Sequence, residues 1–263
     1  MIVKVLMEDT CPNHGFLFEH GLSLYIEASG YKILFDTGQS SAFIRNAETL
    51  GVDLAQVDFA VLSHAHYDHS GGISSFLQFN DHAKVYVSQY AFDDIRHGPD
   101  KYIGPDKALK THPHLVPVTG NMRLADGISV YSGEGNPPVQ PVRSFGLTMQ
   151  RDGELLPDDF RHEQYLEIID GGRRVLISGC SHKGIQNIVH WFKPDILIGG
   201  LHLYNLDPQG DGRADLDNVA RDLAETGATF YTCHCTGVPQ YEYLKQAMRD
   251  QLFYISSGQE ITV

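Results

Sequence analysis

Residues 63–72, Ser63-His64-Ala65-His66-Tyr67-Asp68-His69-Ser70-Gly71-Gly72, gather three imidazoles and a carboxylate directly behind the apolar run Phe59-Ala60-Val61-Leu62. Neutral imidazole and carboxylate are the ligands that borderline divalent metals such as zinc accept. His64 and His66, two positions apart, can point the same way in an extended turn and share one cation. Asp68 and His69 then face a second. A polar surface loop rarely holds four such groups at this spacing, so the stretch is read as a metal site.

Such a site needs strands to carry it, and the chain supplies them. Residues 2–7 read as an edge strand, and Leu22–Glu27 with Tyr31–Phe35 as a hairpin around Ala28-Ser29-Gly30. The hairpin ends in Asp36-Thr37-Gly38, where Asp36 is either a turn aspartate or the group that orients a metal-bound histidine. A helix follows from Ser40 or Ser41 to about Leu50. Phe59–Ser63 is the strand feeding the metal loop, Gly71-Gly72 opens a helix to about Phe79, and Lys84–Ser88 is a further strand. Residues 92–117, rich in proline and glycine, break the pattern and read as a lid or substrate loop. Strands then recur over 128–131, 143–149, 165–169 and 174–178, followed by a helix over 184–193 and a strand over 195–198. A helix over 213–225, a strand over 229–232 and a last helix over 238–249 complete the pattern. Strands followed by strand–helix alternation thus occur twice. With no linker or low-complexity tract, residues 1–263 are expected to form one domain of two related halves.

Three more histidines follow apolar strands: His182 after Val175-Leu176-Ile177-Ser178-Gly179-Cys180-Ser181, His202 after Ile196-Leu197-Ile198-Gly199-Gly200-Leu201, and His234 after Phe230-Tyr231-Thr232-Cys233. Sites in open α/β sheets form outside the carboxyl ends of strands, so these groups can converge on His64–His69. His182 and His234 are expected as ligands, and His202 beside the metals or against the substrate. Cys180 is either a soft thiolate ligand or a small buried residue in a tight turn. Strand alternation points Cys233 and Cys235 away from the side His234 faces, which makes them structural.

The chain of 263 residues carries 42% hydrophobic and 20% charged residues, enough for a full core. Its net charge of −13 argues against a nucleic-acid partner, because phosphate binding needs a basic face. No apolar run approaches a membrane span, and the apolar start of the chain is too short for a signal peptide. The four cysteines, Cys11, Cys180, Cys233 and Cys235, are therefore expected as thiols in the cytoplasm. A homo-oligomer is compatible with the sequence, though no segment demands one.

At these motifs the chain resembles the metallo-β-lactamase fold superfamily, whose signature is His-x-His-x-Asp-His after a strand. Within it the chain looks like the 7,8-dihydropterin-6-methyl-4-(β-D-ribofuranosyl)aminobenzene-5′-phosphate synthase-like branch. Glu19-His20-Gly21-Leu22-Ser23, Phe35-Asp36-Thr37-Gly38-Gln39-Ser40, Gly179-Cys180-Ser181-His182, Gly200-Leu201-His202-Leu203 and His234-Cys235-Thr236-Gly237 carry that closer match. The resemblance covers nearly the whole chain. It implies an α/β fold, an αβ/βα sandwich of two mixed β-sheets flanked by helices, with a dinuclear site at one edge. It also implies His64, His66 and His182 on one metal and Asp68, His69 and His234 on the other. The superfamily's bridging aspartate is replaced here by Cys180. Its usual histidine before that strand has only His162-Glu163 to correspond to it.

The chemistry implied is metal-dependent hydrolysis by a metal-bound hydroxide, on a phosphoester or related small molecule, with two divalent cations: zinc first, manganese or iron also compatible. Asp68 would hold a cation and accept a proton from the attacking water, and His202, or less directly His20, would donate to the leaving group. The named branch offers a transferase alternative, condensation of a pterin pyrophosphate with a ribosylaminobenzene phosphate. A non-catalytic metal- or pterin-binding module is a third reading. Flavodiiron-type relatives carry a glutamate where this chain has His66, which argues against a di-iron reductase.

Overall fold

Residues 1–263 are described by a computed structural model. Alternation along the strands decides the layers. In Ile196–Gly199, Ile196 and Ile198 face one way and Leu197 the other, all buried, as expected of a strand covered on both faces. Val175 and Ile177 against Leu176, and Ile33 and Phe35 against Leu34, repeat the pattern. The first set of each meets its counterpart from the other sheet. One core cluster therefore holds Val3, Leu24, Ile33 and Val61 together with Val130, Ile168, Ile177 and Ile198.

Two seven-stranded sheets result. The first runs Glu260–Thr262, Ile2–Met7, Ser23–Ala28, Tyr31–Phe35, Phe59–Val61, Lys84–Ser88, Leu115–Val118. The second runs Leu252–Tyr254, Thr229–Thr232, Ile196–Gly199, Arg173–Ser178, Tyr165–Asp170, Ile128–Tyr131, Met122–Ala125. In each, one side pairs antiparallel and the other parallel, with the change at Tyr31–Phe35 in the first and Arg173–Ser178 in the second. Helices Ala42–Thr49 and Ile73–Phe79 cover the outer face of the first sheet through Phe43, Ala47, Ile73 and Phe76. Helices Ile185–Phe192, Arg213–Glu225 and Val238–Met248 cover the second through Ile188, Leu216, Leu223 and Leu244. This is the αβ/βα sandwich that the sequence implies.

The structure departs from the sequence reading in several places. Ile2–Met7 is interior, because the short C-terminal strand Glu260–Thr262 pairs outside it. The stretch expected as a strand over 143–149 begins at Leu147 and runs to Arg151. The 92–117 segment is not irregular throughout. Asp94–His97 and Lys101–Tyr102 pair with each other, and Asp94–His97 also joins Leu147–Arg151, which hairpins to Glu154–Pro157. The result is a separate four-stranded sheet. None of the helices is long and apolar enough to cross a membrane.

Candidate metal centre

Every side chain of the site leaves the carboxyl end of a strand. Asp36 follows Tyr31–Phe35, and the His64–His69 loop follows Phe59–Val61. On the other sheet Cys180 and His182 follow Arg173–Ser178, His202 follows Ile196–Gly199, and His234 follows Thr229–Thr232. These five strands lie in the parallel halves of the two sheets, so their ends open on the same edge of the sandwich. Asp68 and His69 sit in a single helical turn, Tyr67–Ser70, for which His66 is the extended N-terminal cap. Gly179 lets the two sheets close: a Cβ there would stand 2.1 Å from Ser63 Oγ.

Two pairs of imidazoles meet across the edge. His64 Nε2 lies 3.2 Å from His182 Nε2, and His69 Nε2 lies 3.3 Å from His234 Nε2. His66 completes a group with His64 and His182, their ligand atoms all within 4.8 Å of one another. Asp68 Oδ2 lies 3.3 Å from His234 Nε2 and 3.4 Å from His69 Nε2. Cys180 Sγ stands 3.2 Å from His69 Nε2 and belongs to a group with His64 and His69, which places it between the two pairs.

The outer nitrogens are held by acceptors. His69 Nδ1 donates to Asp36 Oδ2 at 2.7 Å, and His234 Nδ1 donates to Asp9 Oδ1 at 2.5 Å. Ser63 Oγ donates to Asp36 Oδ2 at 2.6 Å and so accepts from His64 Nδ1 at 2.8 Å. Each contact fixes the tautomer that turns an Nε2 lone pair inward. Asp36 is therefore an orienting carboxylate rather than a plain turn residue.

Charge divides the site in two. Burial, reinforced by neighbouring imidazoles, pushes His64 and His182 well below the usual histidine range and His66 down to about 3. Burial opposes the charged forms of the other pair as well, but carboxylates outweigh it. Asp36 and Asp68 raise His69 to about 9, and Asp68 and Asp9 hold His234 well above its ordinary value. Asp68 sits well below the usual carboxylate range, because the attraction of His69 and His234 exceeds the cost of its burial.

These groups fit divalent metal. Zinc–nitrogen bonds of about 2.0–2.1 Å in a tetrahedron set neighbouring nitrogens about 3.3 Å apart, which the two Nε2 pairs match. His66 Nε2, which faces the group formed with His64 and His182, is buried without a hydrogen-bond partner, as are both ring nitrogens of His202 beside it. Buried polar groups of this kind are seldom left unpaired unless a ligand or ion engages them.

Several supporting residues carried no sequence signal. Asp9, 225 positions from His234, follows the first strand, and only its place after an apolar run could have flagged it. Glu163 Oε1 accepts the backbone N–H of His182 at 2.6 Å, while its Oε2 accepts from Lys183 N at 3.0 Å and Tyr165 Oη at 2.6 Å. His162 is spent on structure: Nδ1 accepts from Ala65 N at 3.2 Å and Nε2 donates to Asp158 Oδ2 at 3.1 Å. The third imidazole of the His64–His66 group is thus His182.

A cavity of about 140 Å³ opens over the site, lined among others by His20, His66, Lys101, Phe145, His202 and Tyr204. His20, half exposed, bonds Asp9 Oδ2 through Nδ1 at 2.9 Å and stands 3.5 Å from Asp68 Oδ2 through Nε2. His202 has φ +52°, a conformation that costs about 1–3 kcal/mol for a residue other than glycine. Its ring packs 4.2 Å from that of His182, between Phe145 and Tyr204. A second cavity, about 120 Å³, shares His182, His202 and Phe145 with the first and continues to Gln140, Gln186 and Asn218.

The sandwich, the strand-end histidines and a family model matching residues 18–226 place the chain in the metallo-β-lactamase superfamily. Among relatives, an uncharacterized protein of Methanocaldococcus jannaschii is 29% identical over 93% of this chain and 94% of its own. The 7,8-dihydropterin-6-methyl-4-(β-D-ribofuranosyl)-aminobenzene-5′-phosphate synthase of the same organism is 24% identical over 95% of this chain and 92% of its own, in keeping with the expected branch. The crystal structure of Tm1679, a metal-dependent hydrolase of the β-lactamase superfamily, superposes with a TM-score of 0.80 at 27% identity, covering 100% of this chain and 99% of that one.

Proposed function

We propose that the chain is a cytoplasmic dinuclear metallohydrolase acting on a small phosphoester. The observation that carries this reading is the pair of Nε2–Nε2 approaches at 3.2 and 3.3 Å, with Asp68 between His69 and His234. His64, His66 and His182 would hold one cation, and Asp68, His69 and His234 the other, with Cys180 reaching both. When bound, two divalent cations, zinc foremost, lower the pKa of water towards neutrality and polarise the oxygens of a phosphoryl group.

The chain's own residues supply the rest. Asp68 would accept a proton from the attacking water once its charge is shared with the cation, and His20, with Nε2 3.5 Å from Asp68 Oδ2, would relay it outward through Asp9. His202 is aimed into the cavity with no competing partner, which suits a proton donor to the leaving oxygen. The second cavity would take the leaving group, with Phe145 and His202 at the junction. Residues 92–117 would act as a cover within a single domain over 1–263, since His97, Lys101 and Ile103 line the mouth. Lys101, over the Tyr67 ring at 5.1 Å, is the cation best placed for an anionic substrate.

The synthase relative, matched over 95% of this chain, favours a second reading, condensation of a pterin pyrophosphate with a ribosylaminobenzene phosphate. One assay separates the two. Chain loaded with zinc or manganese is given bis-p-nitrophenyl phosphate and, separately, the two synthase substrates. Nitrophenol release that stops with chelator and returns with metal supports the hydrolase. Pyrophosphate release from the second mixture alone supports the transferase.

A further inference from the structure

Cys235 was expected to turn away from His234, as neighbours on a strand do, and it does not. Strand Thr229–Thr232 is followed by Cys233, which is still extended at φ −164°. His234 then adopts φ +49° and opens a 3-10 turn, His234–Thr236. In that turn the period-2 rule lapses. His234 and Cys235 both line the cavity over the site. The turn is held against strain from both sides: Glu8 Oε2 accepts from His234 N at 3.1 Å, and the Cys235 carbonyl accepts from Leu203 N at 3.1 Å and Tyr204 N at 3.2 Å.

The second sheet also keeps room for this sulfur. A Cβ on Gly200 would stand 2.3 Å from Cys235 Sγ and 2.9 Å from the Gly179 carbonyl. Cys235 Sγ donates weakly to the Cys180 carbonyl at 3.5 Å and also neighbours the Cys180 thiol and the His202 ring. The ligand atoms of Cys180, His234 and Cys235 lie within 4.8 Å of one another, inside the span that donors on a single metal occupy. All three residues are buried.

We propose that Cys235 is a second thiolate ligand of the cation held by His234, paired with Cys180, so that this position is a soft one. The inference rests on the dinuclear reading and adds to its ligand set. With Asp68 and His69 also beside it, this cation would have more donors within reach than the three that a catalytic zinc site draws from the protein. Thiolates select zinc, cadmium or cobalt over manganese or magnesium, and they bind after losing their protons to solvent. The cation at His64, His66 and His182 would have three imidazole donors, with Cys180 as the sulfur it shares with its neighbour.

The test is cobalt(II) substitution of the full chain, read by its visible d–d bands and by the sulfur-to-cobalt charge-transfer band in the near ultraviolet. The expected result is a charge-transfer band in the wild-type chain that falls by about half in Cys235→Ala and in Cys180→Ala, and disappears in the double variant while the d–d bands persist. A Cys235→Ala chain with undiminished band per bound cobalt overturns the proposal, as does a Cys180→Ala chain with no band. If Cys235→Ala does not fold, Cys235→Ser, which keeps the shape without a thiolate, is read in its place. No cobalt uptake by the wild-type chain overturns the metal centre itself, a different failure.

Discussion

Asp36 Oδ2 lies 2.7 Å from His69 Nδ1, and both side chains are fully buried. The same carboxylate accepts from Ser63 N at 2.6 Å, so one residue sets the start of the metal loop and the orientation of its last histidine. Asp36→Ala would release both. Loss of such an orienting partner costs about 10–100-fold in metal affinity. Competition with a chromogenic zinc chelator is expected to show that drop, and an unchanged affinity would remove Asp36 from the account.

His202 offers the cleanest separation of metal binding from turnover. Its strained backbone and unpartnered nitrogens aim it at whatever occupies the cavity. His202→Gln should retain wild-type metal content while the rate falls by about 10²–10⁴-fold, the range for a general acid. Metal analysis and steady-state kinetics on the same preparation check both halves. A variant that loses metal in proportion to activity would make His202 a ligand.

The raised pKa of His69 gives a pH signature. Asp36 and Asp68 overcome the effect of burial and lift it from 6.5 to about 9, so the folded, metal-free chain prefers the protonated ring. That preference stabilises the fold fully below about pH 6.5, the ordinary histidine value, and is lost as pH rises through about 9. A bound cation replaces the proton. Chelator-treated chain should lose Tm between pH 7 and 9 relative to zinc-loaded chain, and apparent zinc affinity should climb over the same interval. Parallel Tm curves would contradict this.

Glu163 holds the His182 end of the site through two backbone N–H groups and the Tyr165 hydroxyl. Glu163→Ala leaves those buried donors without a partner, at about 1–3 kcal/mol each. Denaturant unfolding should therefore show a loss of about 3 kcal/mol or more, with metal occupancy at the His64–His66–His182 position falling as well. Unchanged stability would mean that water or another acceptor replaces the carboxylate.

What could be read in the chain, and what could not, follows from sequence distance. The His64–His69 loop was legible because four ligand residues fall within six positions of chain. His182, His202 and His234 were legible because each follows an apolar strand, and parallel sheets bring such ends together. Asp9 and Glu163 act on residues 225 and 19 positions away, and nothing local marks them. Cys235 was misread because alternation was carried one residue past the end of its strand. Glu260–Thr262 was missed because an edge strand of three residues, with no fully buried position, carries almost no pattern.

The most direct test of the central claim is elemental analysis of the chain purified without added metal, beside His66→Ala. The account predicts about two transition-metal ions per wild-type chain and a sharp fall in the variant, which loses one of the three imidazoles of the His64–His66–His182 group. Wild-type chain that holds no metal, and takes up none on soaking in zinc, would contradict it.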